Sequence, residues 1–146
     1  MKHEIFFDGN TKEYSWSIKT ENNIADQIRE HPPAFRSGGK LNITNNEESK
    51  FVALHVGIYW GLGVNIIKNQ DEVNVMCDSE MMFGIMTKGK KSDNKIINDK
   101  VYFINQLTNL RELKINYQFI KSDKNIATKH LFTKEDTAGR DSKGYV

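Results

Sequence analysis

Two aspartates, 70 positions apart, each end a short apolar segment. Asp8 follows residues 5–7, and Asp78 follows residues 73–77. Successive side chains of a strand point to opposite faces, so Asp8 shares a face with Phe6 and Asp78 shares one with Met76. If the two strands are neighbours, the carboxylates meet at one edge of a sheet and offer the oxygen ligands that Mg²⁺ prefers. The alternative is that each aspartate simply begins a turn.

Composition limits the class of protein. The chain has 146 residues, of which 38% are hydrophobic, and a net charge of +2. These values predict one globular domain and permit a nucleic-acid partner without requiring one. Cys77 is the single cysteine, which excludes an intrachain disulfide and favours an intracellular, reducing compartment. The longest apolar runs are far shorter than the ~20 residues of a membrane span, and no targeting peptide is visible, so we expect no membrane association.

The first third of the chain predicts a hairpin followed by a polar loop. In residues 4–20 a short apolar run precedes the turn residues Asp8-Gly9-Asn10, and after the turn Tyr14, Trp16 and Ile18 alternate with polar side chains. Residues 21–40 are polar and contain Pro32-Pro33 and Gly38-Gly39, which predicts a loop with one helical turn at 24–29. Residues 41–44 predict a third short strand.

A central helix should begin after Thr44-Asn45-Asn46. Asn at the N-cap satisfies free backbone N–H groups, and the acidic residues 47–48 suit the positive end of the helix dipole. Apolar side chains at helical spacing predict the buried face, and small residues form a second stripe that permits close packing on a sheet. The buried face comprises Phe51, Leu54, Ile58 and Leu62, and the small stripe comprises Ala53, Gly57 and Gly61.

The remaining pattern completes an α/β domain. We predict one strand region carried by residues 65–68 and 73–77, a strand at 114–120, and helices at 80–86, 95–112 and 125–132. This order gives a mixed five-stranded sheet in an α/β layer architecture. The domain should span residues 1–137, with 138–146 as a flexible C-terminal tail because that segment lacks apolar periodicity.

The order of these motifs resembles the ribonuclease H-like superfamily across about residues 4–132. The similarity is to handle-less members, which lack a long basic loop between the second and third helices. It implies a mixed five-stranded sheet with helices on both faces. The motifs that carry it are Asp8-Gly9-Asn10, Thr44-Asn45-Asn46 with Ala53-Leu54 and Gly57, Cys77-Asp78-Ser79, and Lys124-Asn125-Ile126-Ala127.

The resemblance implies hydrolysis of a phosphodiester by two Mg²⁺ or Mn²⁺ ions held between four carboxylates. Asp8 and Asp78 would be the first and third carboxylates. Counting along the central helix places Ser49 or Lys50 at the second position, and Glu48 or Glu47 would serve if the helix starts differently. Glu48 is the predicted ligand and catalytic residue, together with Asp8 and Asp78. The fourth position falls on Thr128, which is not an acid.

The resemblance also implies contacts with nucleic acid, either an RNA–DNA hybrid or a structured RNA, and participation in a larger protein or ribonucleoprotein assembly. Lysines between positions 88 and 100 are suited to a phosphate backbone or simply to a solvated surface. The residues that would contact nucleic acid are Asn10, Asn45, Ser79, Lys90, Lys91 and Asn125.

Three functional interpretations are open from the sequence. The first is an active ribonuclease H-type enzyme that cuts the RNA strand of a hybrid. The second is a catalytically inactive relative that binds nucleic acid or a protein partner. The third is a small α/β binding protein unrelated to nucleic acid. The side chain at position 50 separates the first two, because a lysine that points between Asp8 and Asp78 opposes metal binding.

Overall fold

The structure, a computed structural model, describes residues 1–32 and 43–131. Over these residues the chain forms five strands and three α-helices: three strands come first, and one helix, a strand, two helices and a last strand follow. The strands are β1 (Lys2–Gly9), β2 (Glu13–Thr20), β3 (Asn23–Glu30), β4 (Glu72–Cys77) and β5 (Lys114–Phe119), and the helices are α1 (Asn46–Gly63), α2 (Glu80–Lys88) and α3 (Lys95–Leu110).

The strands form one mixed sheet in the order β3-β2-β1-β4-β5. The pairs β1–β2 and β2–β3 are antiparallel, and the pairs β1–β4 and β4–β5 are parallel. Phe6 lies opposite Met76, so the prediction that these two strands are adjacent and parallel is confirmed. Because parallel strands end at the same edge of a sheet, the topology brings Asp8 and Asp78 together.

Helix α1 positions the site and packs against β1 and β2. The side chain of Asn45 caps it by accepting the N–H of Glu48 at 2.8 Å. A Cβ at Gly57 would lie only 3.1 Å from Ile5 and Trp16, so the small residue lets the helix approach the sheet closely. The predicted apolar face is confirmed as core: Phe51, Leu54, Ile58 and Leu62 are all buried.

The opposite face of the sheet is covered by a shorter segment. Phe6 and Met76 on that face pack with Ala127, and Ile120 and Ile126 lie beside them. This segment contains a 3₁₀ turn at Ser122–Lys124, and residues 128–131 are helical. The segment that follows β5 therefore covers the face of the sheet that carries Asp8 and Asp78.

The prediction of a loop with a helical turn at residues 24–29 was wrong, because this stretch is strand β3. Ile24 and Ile28 have helical spacing, but β3 forms the edge of the sheet and pairs with β2 along its whole length, from Asn23 opposite Thr20 to Glu30 opposite Glu13. Pairing with an existing strand outweighs a weak local helix signal. Residues 43 and 44 are not in a strand, and 41–42 lie outside the described residues.

Two other segments differ from their predicted form. Residues 65–68 are a turn after α1 in which the N–H groups of Ile66 and Ile67 both bond to the carbonyl of Gly61, and Ile67 is buried. The last helix does not start at Asn125, because the side chain of that residue accepts the N–H of Ala127 in a local turn. The predicted tail at 138–146 lies outside the described residues. No helix among the described residues is long and apolar enough to cross a membrane.

Candidate functional site

A cavity of about 540 Å³ opens at the edge of the sheet where β1 and β4 end. Four separate parts of the chain contribute to its wall: the end of β1, the first turn of α1, the residue after β4, and the segment that covers the opposite face. The lining residues are Asp8, Gly9, Asn10, Asn46, Lys50, Asp78, Ser122, Asp123, Thr128 and Leu131. The sequence prediction that Asp8 and Asp78 meet at one edge is therefore confirmed by the geometry.

The Lys50 ammonium lies between the two aspartates. Its Nζ donates a hydrogen bond of 2.9 Å to Asp78 Oδ1 and lies 3.8 Å from Asp8 Oδ1. The three side chains are only 15%, 12% and 3% exposed for Lys50, Asp8 and Asp78 respectively. This ion pair is thus largely withdrawn from solvent, unlike a flexible surface pair.

The other carboxylate oxygens accept hydrogen bonds from neighbouring donors. The hydroxyl of Thr128 donates to Asp8 Oδ2, and the backbone N–H of Gly9 donates to Asp8 Oδ1. The buried amide of Asn125 donates at 2.9 Å both to Asp78 Oδ2 and to the carbonyl of Phe7. Each carboxylate is therefore held by donors from the protein itself, and the network connects α1, β1 and the C-terminal segment.

The ionisation of the cluster follows from burial and charge. Burial alone would lower the pKa of Lys50, but the hydrogen bond to Asp78 and the charges of Asp78, Asp8 and Glu47 outweigh it and hold the pKa above its ordinary value. Burial raises the pKa of Asp8 by more than the Thr128 hydroxyl and the Lys50 charge lower it. Lys50 is thus a firmly protonated cation at neutral pH.

Glu48, the predicted third carboxylate, lies outside this cavity. It is buried, and its Oε1 accepts the N–H of Thr44 at 2.7 Å while its Oε2 accepts the amide of Asn94 at 2.6 Å. Successive helical residues are about 100° apart, so a residue two positions before Lys50 points away from the site. The prediction of Glu48 as metal ligand and catalytic residue disagrees with the structure, in which Glu48 links the start of α1 to the start of α3.

Glu47, the other acid considered on α1, lies on the same side of the helix as Lys50. Its Oε1 accepts the hydroxyl hydrogen of Ser79, the residue that follows Asp78. Its charge contributes to raising the pKa of Lys50. Glu47 therefore supports the cation from outside the cavity and does not line it.

The predicted nucleic-acid contacts divide into two groups. Asn45 and Ser79 cap α1 and α2, and Asn125 is buried in the carboxylate network, so these three position the site. Asn10 lines the cavity, and its side chain also accepts two backbone N–H groups of the hairpin turn. Lys90 and Lys91 are exposed in the loop between α2 and α3.

Sequence reasoning missed a second group of basic residues. Lys121, Lys124 and Lys129 are exposed on the segment that also supplies Ser122, Asp123 and Thr128 to the cavity wall. Among the described residues, none of these three lysines forms an ion pair. The available signal was the presence of three lysines within nine positions around a short turn.

The residues around the cavity do not fit a divalent metal. In the ranges 1–32 and 43–131, no group of three His, Cys, Asp or Glu side chains is arranged to hold a metal ion. A divalent ion about 4 Å from the Lys50 ammonium would be repelled by about 8 kcal/mol at an effective dielectric constant of about 20, from twice the unit-charge value. Thr128 and Asn125 supply hydrogen-bond donors where further acid ligands would be needed.

These features define a class by fold. The sheet order, the parallel pair β1–β4 and the central helix above their ends give the chain a ribonuclease H-like fold, as the resemblance predicted. No protein-family model and no curated protein sequence matches the chain. The similarity to ribonuclease H therefore concerns the fold alone.

Solved ribonuclease H structures superpose over most of the chain. RNase H1 from the halophilic archaeon Halobacterium salinarum NRC-1 is similar with a TM-score of 0.67 at 11% identity, covering 91% of this chain and 99% of that chain. The N-terminal RNase H domain of a Mycobacterium tuberculosis protein gives 0.69 at 16% identity, with 88% and 95% covered. LC11-RNase H1 from compost, in complex with an RNA/DNA hybrid, gives 0.61 at 15% identity, with 88% and 91% covered.

Proposed function

We propose that this protein is a ribonuclease H-like domain that binds duplex nucleic acid, of which RNA–DNA hybrid is the best candidate, without cleaving it. The single observation that carries the proposal is the Lys50 ammonium, 2.9 Å from Asp78 and 3.8 Å from Asp8. The alternative, two-metal hydrolysis of the RNA strand, needs Mg²⁺ or Mn²⁺ between these carboxylates.

The polar network argues against hydrolysis on chemical grounds. Two-metal hydrolysis requires ions that activate water and stabilise the leaving oxygen. Lys50 is a poor substitute for either role, because an ammonium of raised pKa neither lowers the pKa of water strongly nor acts as a base at neutral pH. Glu48 is hydrogen-bonded to Thr44 and Asn94 and does not reach the two aspartates, and the residues that do lie there are bound to one another.

Exposed lysines on two segments favour a nucleic-acid partner. Lys90 and Lys91 lie in the α2–α3 loop, and Lys121, Lys124 and Lys129 lie on the C-terminal segment. Unpaired lysines bind phosphates by releasing counterions. The neighbour with a bound RNA/DNA hybrid supports a hybrid as the first ligand to test.

The test is fluorescence polarisation with a labelled RNA–DNA hybrid, compared with double-stranded DNA, double-stranded RNA and single strands, over a range of salt concentrations. The paired changes Lys90→Glu/Lys91→Glu should weaken binding and flatten the dependence of log K on log salt by about 1–2 units, since each lost phosphate contact contributes about 0.9. The matched control is Lys19→Glu/Lys114→Glu. It makes the same change in charge at the end of the sheet where β1 and β4 begin, away from the cavity.

The same preparations should be assayed for cleavage of the hybrid in Mn²⁺. We expect none from the wild-type protein. Cleavage that disappears in Asp78→Asn would show a working metal site and reject the proposal, whereas cleavage that persists in this variant would come from a contaminating nuclease. Equal weakening by the loop and control variants, or no binding of any duplex, would also contradict the proposed function.

A further inference from the structure

We propose that the Lys50 ammonium takes the place of a divalent cation between Asp8 and Asp78, and that the residue at position 50 decides whether this edge of the sheet can hold a metal. The inference deepens the proposed function at the same site but can fail separately from it. One side chain, at position 50, would then determine whether this chain binds a metal at the site.

The position of the ammonium is fixed by a rigid element. Lys50 lies in the first turn of α1, whose start is held by the Asn45 cap and whose next residue, Phe51, is fully buried. The Lys50 side chain is itself only 15% exposed. The ammonium is therefore a fixed part of the site. If it moved away, the charges of Asp8 and Asp78 would repel each other with no cation between them.

The geometry also explains why position 50 has this effect. A glutamate side chain is one bond shorter than lysine, so a carboxylate at position 50 would place its oxygens near the Cε of Lys50 and leave the position of Nζ vacant. Mg²⁺ lies about 2.0–2.1 Å from its oxygen ligands, slightly longer than the missing bond. Asp8 and Asp78 have oxygens 3.8 and 2.9 Å from the Nζ position, so side-chain movements of about 1–2 Å would bring both to ligand distance and complete a three-carboxylate site.

The experiment compares the wild-type protein with Lys50→Glu and Lys50→Gln. Thermal unfolding is followed by circular dichroism in Mn²⁺ and in a chelator, and Mn²⁺ affinity is measured by isothermal titration calorimetry. Lys50→Gln is the matched control, since it removes the ammonium without adding a charged ligand. A ligand that binds only the native state raises the Tm, so the Tm reports metal binding without any requirement for catalysis.

We expect no Mn²⁺-dependent change in the Tm of the wild-type protein, a small rise for Lys50→Gln and a large rise for Lys50→Glu, with Mn²⁺ binding at least about tenfold tighter than in Lys50→Gln. Adding Asp78→Asn to Lys50→Glu should abolish the rise. If Lys50→Glu folds only when Mn²⁺ is added, that result also supports the inference. Wild-type binding of Mn²⁺ at this site, or no response to Mn²⁺ from either variant, would overturn it, whereas the hybrid-binding assay tests the proposed function independently.

Discussion

The substitution Lys50→Met tests how much the central ion pair stabilises the fold. Methionine keeps most of the apolar stem of lysine and removes the charge, so Asp8 and Asp78 lose their shared cation. Breaking a buried pair costs about 3–5 kcal/mol, whereas exposed pairs contribute about 0–1 kcal/mol. With side-chain exposures of 15%, 12% and 3% in this cluster, we expect a loss of about 2–4 kcal/mol. This loss should lower the Tm by roughly 6–12 °C for a chain of this size.

Urea unfolding at several pH values measures this loss and identifies its origin. Because the pKa of Lys50 is raised in the folded state, its contribution is complete below the unfolded value of 10.5 and is lost only as pH rises through the higher folded pKa. In Lys50→Met the penalty should shrink as pH falls through the raised pKa of Asp8, since protonation removes the repulsion. The double variant Lys50→Met/Asp78→Asn should recover part of the loss at neutral pH. A change within about 0.5 kcal/mol of wild type would refute the reasoning, because that is the size of an ordinary surface substitution.

Three further predictions concern the core, the hairpin turn and pH. Leu54→Ala should cost about 2–5 kcal/mol in urea unfolding because Leu54 is fully buried, and a cost below about 1 kcal/mol would show that its pocket is not packed. A Cβ at Gly9 would clash with the side chain of Ser49, so Gly9→Ala should be destabilising. Gly63→Ala should be neutral or up to about 1 kcal/mol stabilising, because a Cβ there would meet nothing within 4 Å, and equal effects of the two substitutions would contradict this. Burial and the charge of Lys100 lower the pKa of His55 to about 4 in the folded state, so stability should fall as pH drops from 6.5 towards that value. Burial also lowers the pKa of His31, so His55→Phe should reduce this slope and not abolish it, and an unchanged slope in His55→Phe would assign it to other groups.

The sequence was informative wherever one face of an element is buried. The alternation of Tyr14, Trp16 and Ile18 and the apolar stripe of α1 place these side chains in the core, so the hairpin and the core face were predicted correctly. The alternation did not show that Ser15 and Ser17 are buried as well. Strand β3 was missed because it is an edge strand. Only Ala25, Gln27 and Ile28 of this strand are partly covered, as is His31 just after it, and its pairing with β2 is a long-range effect. Local pattern carries little information about such a strand.

At the site, the sequence predicted which carboxylates meet but not how they are neutralised. The meeting of Asp8 and Asp78 follows from the parallel pairing of their strands. The choice between Glu48 and Lys50 depended on the angular position of each residue around α1, which changes by about 100° for each residue of uncertainty in the helix start. The donors Thr128 and Asn125 come from a segment more than 40 residues after Asp78, and no local pattern predicts their contacts.

The most direct test of a metal-free site is a crystal structure of the wild-type protein soaked in Mn²⁺, with anomalous scattering recorded to locate the ion. We expect no anomalous peak between the two aspartates, and we expect the Lys50 ammonium to contact both Asp78 and Asp8. A strong peak at that position, with the Lys50 side chain displaced towards solvent, would show that the site holds a metal and would restore two-metal hydrolysis as the leading function.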